Sequence, residues 1–249
     1  MDQISALGYG VAFLLGAVLG SVASRWMHWL MQRRDLACPE APCSTCQRAR
    51  RWWHMLPLLG VVLRGRCATC HSAIAWRALL LELLCGALYV LLYHQWPVSV
   101  PNLVFALLAV VLLVVACIDL AHTIIPDAIT LPGLLIGLLT SLALTPVGLG
   151  NALIGALLGG SVFFIIAVLS QGGMGGGDIK LIAMIGAFLG WQAVLTTMLL
   201  GSLLLTLLGL TLMLVRQKGR QDYLPFGPSL AIGALLTMVW GDALLTWYL

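Results

Sequence analysis

Three aspartates occupy positions where hydrocarbon gives way to polar chain. Asp119 closes the apolar run 112–118, Asp178 opens the apolar run that starts at Ile179, and Asp127 lies between them, directly after Pro126. Acids at such depths are rare, and they are usually partnered or functional. Two carboxylates held side by side cannot both ionise cheaply, so they share one proton. The ionised member then draws a proton from water while the protonated member polarises a carbonyl. That chemistry hydrolyses an amide without a metal and without a nucleophilic side chain.

The stretch Gly172-Gly173-Met174-Gly175-Gly176-Gly177 leads into Asp178. Residues without a Cβ let another backbone, such as an extended peptide substrate, approach closely. Gly175 and Gly177 are therefore candidate supporting residues, with Lys180 just beyond. An acid before a helix also suits capping. Both Asp127 before Ala128 and Asp178 before Ile179 are placed for it, and for Asp127 a capping or structural role is the expectation. Glu82, about a turn into another apolar run, is expected to pair with Arg77 or a neighbouring arginine. His122 stands between Asp119 and Pro126, where it could tune the acids, a bystander position being the simpler reading.

A second constellation is made of thiols. Cys43 and Cys46, then Cys67 and Cys70, form two CxxC pairs. Two such pairs about twenty residues apart match a tetrahedral four-thiolate zinc site. In a reducing compartment these thiols stay reduced, and a metal would supply folding energy to a polar stretch with little core of its own. Cys85 and Cys117 lie in apolar runs and read as packing residues.

The elements that position these groups follow from composition. Of 249 residues, 61% are hydrophobic and 9% charged, against roughly 25% charged in a soluble domain. Lipid must be the main solvent. Eight apolar segments are legible, at about 4–24, 78–96, 102–118, 128–144, 151–170, 179–189, 191–215 and 228–248. Most of the basic residues fall in 25–77, and the rest are Lys180, Arg216, Lys218 and Arg220. With 25–77 on the cytoplasmic side, alternation puts every basic cluster inside and leaves the turns at 97–101, 145–150 and 190 without Lys or Arg. Asp119 and Asp178 then share the inner boundary, brought together by the hairpin of the fourth and fifth segments. No Lys or Arg precedes the first apolar run, which reads as an uncleaved anchor. The basic residues set topology and do not point to nucleic acid.

The predicted fold is therefore an all-α polytopic membrane protein. It has about eight transmembrane helices and a cytoplasmic Cys-containing insert between the first two. Three parts are expected: a first helix over 1–24, the insert over 25–77 and a membrane domain over 78–249.

Four stretches resemble the bacterial prepilin peptidases, also called type IV leader peptidases. They are Ile118-Asp119-Leu120-Ala121-His122-Thr123-Ile124-Ile125-Pro126-Asp127, the GxGD-like Gly175-Gly176-Gly177-Asp178-Ile179-Lys180-Leu181, Pro225-Phe226-Gly227-Pro228, and Arg64-Gly65-Arg66-Cys67-Ala68-Thr69-Cys70. The resemblance runs over nearly the whole chain. It implies that Asp119 and Asp178 are the catalytic pair of an intramembrane aspartic protease and that Asp127 supports them. It also implies prepilin or type II secretion pseudopilin precursors as substrates, and a bacterial inner membrane with the site facing the cytoplasm. Relatives with the Cys-bearing insert often also methylate the new N-terminus with S-adenosylmethionine, and that second activity is implied by resemblance alone. Ser24 stands where the family usually has Asn after Gly20-Ser21. A different class of function uses the same residues: a proton- or cation-coupled transporter with Asp119 and Asp178 on its path. A path across the membrane calls for acids at several depths, whereas these cluster on one side.

Overall fold

The computed structural model describes residues 2–32, 76–95, 99–170, 173–215 and 225–248. These residues form helices and no strand: α1 (Asp2–Gln32), α2 (Trp76–Gln95), α3 (Val100–His122), α4 (Asp127–Ala143), α5 (Leu149–Leu169), α6 (Gly176–Leu214) and α7 (Gly227–Tyr248). Leu, Ala, Val and Gly dominate them, and a helix is the form that satisfies all of its backbone groups internally when no water is at hand. Three of the helices, α3, α5 and α6, are long and apolar enough to cross a membrane. The chain is an integral membrane protein. The cysteines of the two CxxC pairs lie outside the described residues.

The chain divides into two compact units, 1–98 and 99–249. In the first, α1 and α2 pack against each other at small residues. A methyl group added at Gly16 would lie 2.6 Å from the backbone oxygen of Cys85, so only glycine allows this approach. Glycine at a membrane helix interface serves this purpose. Helix α1 runs on to Gln32, past the expected end at Ser24. No Gly or Pro follows Ser24 until Pro39, so nothing in the sequence stops it there. The Ser21 hydroxyl donates to Glu82 Oε1 at 2.6 Å, a partner the sequence reading did not foresee. The Arg77 side chain lies outside the described residues.

In the second unit α6 is the central element, packed against α4, α5 and α7, while α3 lies chiefly against α7. Leu112, Leu181, Ile185, Val194 and Leu230 are fully buried in this core. Leu139, Leu157 and Leu169 are each at least two-thirds exposed, as side chains facing lipid should be.

Helix α6 is not one rod. Gly190 has φ 82° and ψ 177°, a conformation that L side chains rarely adopt. A methyl group at Gly159 on α5 would touch both the carbonyl oxygen of Ile182, at 3.1 Å, and Val194 Cγ1, at 3.2 Å. On a straight helix those two residues would stand about 18 Å apart. The chain therefore reverses at Gly190, and 176–189 and 191–214 are separate segments meeting at a tight turn. The boundary expected at 190 coincides with this reversal. The turn fits because Gly155 is bare: a methyl group there would lie 2.6 Å from the carbonyl carbon of Gly190.

Candidate active site

One end of the second unit gathers the C-terminus of α3 and the N-termini of α4, α6 and α7. Asp119 sits in the last turn of α3. The helix stops four residues later because Thr123 turns left-handed, at φ 53° and ψ 36°, with its N–H donating to the Asp119 carbonyl at 2.7 Å. Residues 124–126 then lead into α4, which Pro126 starts from an extended conformation. Asp178 lies in the first turn of α6, and its N–H donates to the Gly175 carbonyl at 3.1 Å. A carboxylate in that turn complements the positive end of the helix dipole.

Both acids are withdrawn from the surface, Asp119 at 3% and Asp178 at 4% exposure. Gly177, which precedes Asp178, and Gly227, which holds Asp119, both lie against the Ile125 side chain. Asp119 has a further anchor: the Gly227 N–H, at the start of α7, donates to its Oδ2 at 3.0 Å. Space for that contact exists only because residue 227 is glycine, since a methyl group there would fall 2.6 Å from the same oxygen. The segment carrying Gly227 is itself pinned, with Phe226 stacked on Phe163 of α5 at a centroid separation of 5.5 Å.

The expected supporting residues divide. Asp127 does not cap α4: Pro126 occupies the cap position, and Asp127 falls inside the first turn. Its carboxylate instead takes two hydrogen bonds from Lys180 Nζ, each 2.8 Å long. Opposite charges eight residues beyond Asp119 and two beyond Asp178 thus tie α4 to α6. The pair is solvent-exposed, with side chains 41% and 51% accessible, so it contributes less than about 1 kcal/mol. Asp178 likewise makes no side-chain cap, the cap position of α6 being Gly175. Gly177 does allow a close approach, but of the chain's own Ile125, whose Cβ a methyl group would meet at 2.8 Å. At Gly176 the space is open. His122 closes α3, and among the described residues nothing hydrogen-bonds its buried Nε2. Among the described residues no three His, Cys, Asp or Glu side chains converge as a metal site would require.

Sequence reasoning missed the anchoring roles of Gly227, Ile125 and the Phe163–Phe226 stack. The available signal was Pro225-Phe226-Gly227-Pro228, a turn-forming run next to an apolar segment on the same side as both aspartates. The assembled site is a pair of buried carboxylates gathered at one end of the unit, one of them held by a backbone N–H. It has the parts for proton-sharing attack of water on a carbonyl.

Comparison with known proteins gives the chain's relatives. Residues 106–210 match the type IV leader peptidase family, and residues 14–96 match the bacterial peptidase A24 N-terminal domain. A prepilin leader peptidase/N-methyltransferase of Pseudomonas putida is 38% identical over 217 residues, covering 85% of this chain and 75% of the relative. One from Aeromonas hydrophila is 38% identical over 86% of this chain and 76% of its own length, and one from Klebsiella pneumoniae 38% over 76% and 89%. No solved structure matches the chain. With identity at this level over most of both chains, and two family models matched in order along its length, this protein belongs to the type IV leader peptidase family.

Proposed function

We propose that this chain is a prepilin leader peptidase of the bacterial inner membrane. It would cut the leader from type IV prepilins or type II secretion pseudopilins at the cytoplasmic face and then methylate the new N-terminus. The observation that carries the reading is the buried pair itself. Asp119 and Asp178 come from opposite sides of the α4–α5 hairpin and lie at one end of the helices, each almost wholly withdrawn from solvent. The comparisons give no support to a proton or cation pathway through the same residues.

In this mechanism one carboxylate takes a proton from water as the oxygen attacks the scissile carbonyl carbon. The other gives its proton to the carbonyl oxygen, forming a neutral tetrahedral diol. Collapse of the diol breaks the C–N bond, and a proton passes to the leaving amine. The proton count closes within the pair, so neither a metal nor a covalent intermediate is required. Gly227 keeps one oxygen of Asp119 oriented throughout. The substrate's own apolar helix lies in lipid, so its cut site arrives at the same membrane boundary as the pair.

The test is cleavage of a model prepilin in membranes by the parent, Asp119→Asn and Asp178→Asn, with equal protein amounts verified. Both variants should accumulate uncut precursor, since each keeps side-chain size and loses the ionisable group. Parental cleavage by either one would remove that residue from the pair.

Two cofactors complete the proposal. The spacing of Cys43, Cys46, Cys67 and Cys70 supports a structural zinc. Elemental analysis of purified protein should find about one zinc per chain, lost in Cys43→Ser or Cys67→Ser. The relatives are named N-methyltransferases as well as peptidases, and S-adenosylmethionine is the methyl donor proposed for that second activity. Mass spectrometry of the mature N-terminus should show one added methyl group that depends on it.

A further inference from the structure

Ile125 stands in the short connection between α3 and α4, in a segment otherwise set by backbone geometry. Its neighbour Ile124 is 40% exposed, whereas Ile125 is only 9% exposed, so its side chain is turned inward beside the pair. Two glycines meet it, at opposite ends of the side chain. A methyl group at Gly177 would lie 2.8 Å from Ile125 Cβ, and one at Gly227 would lie 3.2 Å from Ile125 Cδ1. Gly177 directly precedes Asp178, and Gly227 is the residue whose N–H holds Asp119. The side chain therefore spans from the backbone that carries one acid to the backbone that orients the other. Both flanks are glycine backbone, which has no rotamer to change, and at Gly177 the Ile125 carbonyl oxygen also stands close, 3.5 Å from where a methyl group would lie.

We propose that Ile125 is a positioning residue for the hydrolytic pair, a wedge whose length sets the gap between the α6 and α7 N-termini and hence between the two carboxylates. The proposal builds on the peptidase reading above. Packed side chains hold discrete positions because interiors are filled to crystal-like density. Shortening the wedge lets the α7 N-terminus settle toward α6 and carries the Asp119 hydrogen bond with it. Reacting groups misplaced by about 1 Å from the productive geometry cost on the order of 100-fold in rate. Two carboxylates that share a proton titrate as a unit, so a change in their separation moves both apparent pKa values of such a pair.

The experiment uses the full chain in membranes or detergent, with Ile125→Val, which removes only the atom facing Gly227, and Ile125→Ala, which keeps only Cβ. Folded protein is quantified by size-exclusion recovery and thermal melting, and kcat is expressed per folded molecule. The expected order is parent above valine above alanine. Valine should lose about 3-fold in kcat and alanine about 10- to 100-fold, with KM within about 2-fold and the pH–rate profile displaced in both. A purely structural side chain would lower the amount of folded protein and leave kcat per folded molecule and the pH profile as in the parent, and that result overturns the proposal. If alanine does not fold, valine decides alone by the same criteria. Asp119→Asn and Asp178→Asn are run alongside. Cleavage by them would refute the peptidase mechanism itself, whereas their inactivity together with parental kcat in the Ile125 variants refutes only the wedge.

Discussion

Replacing Gly227 by alanine tests whether the backbone contact to Asp119 matters for catalysis. The new methyl group would sit 2.6 Å from Asp119 Oδ2 and 3.1 Å from its Cγ. An ordinary contact needs about 3.4 Å or more, so the carboxylate and the α7 N-terminus must part by about 0.8 Å. The 3.0 Å hydrogen bond from Gly227 then stretches to about 3.8 Å, which is no longer a hydrogen bond. A displacement near 1 Å at a reacting group costs on the order of 100-fold, or about 2.7 kcal/mol of transition-state stabilisation. The loss should fall on kcat, because orienting a reacting group stabilises the transition state more than the bound substrate. The assay is prepilin cleavage in membranes over a range of substrate and enzyme concentrations, with folded protein quantified. Gly176→Ala is the matched control: it lies two residues from Asp178, yet a methyl group there meets nothing within 4 Å. It should cleave at the parental rate. If folded Gly227→Ala keeps kcat within about 3-fold of the parent, or if Gly176→Ala loses as much, the Gly227 contact does not position Asp119 and the geometric reasoning fails.

A pair that works with one proton between two carboxylates should give a bell-shaped kcat/KM profile, with both limbs belonging to the pair. A single sigmoid in the parent would contradict the shared proton. Breaking the exposed Asp127–Lys180 ion pair with Lys180→Ala should change stability by less than about 1 kcal/mol and leave cleavage within a few-fold; abolition of cleavage in folded protein would mean that the pair does more than join α4 to α6. Gly190→Ala forces a side chain into a region of backbone space that costs on the order of 1–3 kcal/mol, so a thermal melt should fall by several degrees. An unchanged melt would mean the reversal at 190 tolerates other residues.

The two aspartates were legible because the edges of apolar runs mark depth, and depth plus an even number of crossings fixes which residues share an end. The reversal at Gly190 was legible for a similar reason: a glycine interrupts a run too long for one helix. The contacts that finish the site were not legible. The hydrogen bond from Gly227 is made by a backbone N–H, which leaves no side-chain signature. Ile125 looks like any other apolar residue in an apolar chain, and only the two bare glycines around it reveal its place. Of the two roles expected for Asp127, capping or structural, the cap fails because Pro126 has the extended backbone a cap position needs, and the structural role stands in the ion pair with Lys180. Lys180 lies two residues from Asp178, too near in sequence to suggest that it would reach across to α4. Sequence adjacency also misleads about neighbours, for α3 and α4 are joined by a short connection and yet α3 packs mainly on α7.

The turn at Gly190 has a bearing on where the C-terminal helix begins. Drawn straight, α6 would be about 58 Å long, nearly twice the roughly 30 Å thickness of a bilayer interior. The reversal folds that length back on itself, so that Gly227 lies at the same end of the unit as Asp119. One glycine, at φ 82°, thus marks the reversal that returns the last quarter of the chain to the end of the unit where Gly227 meets Asp119.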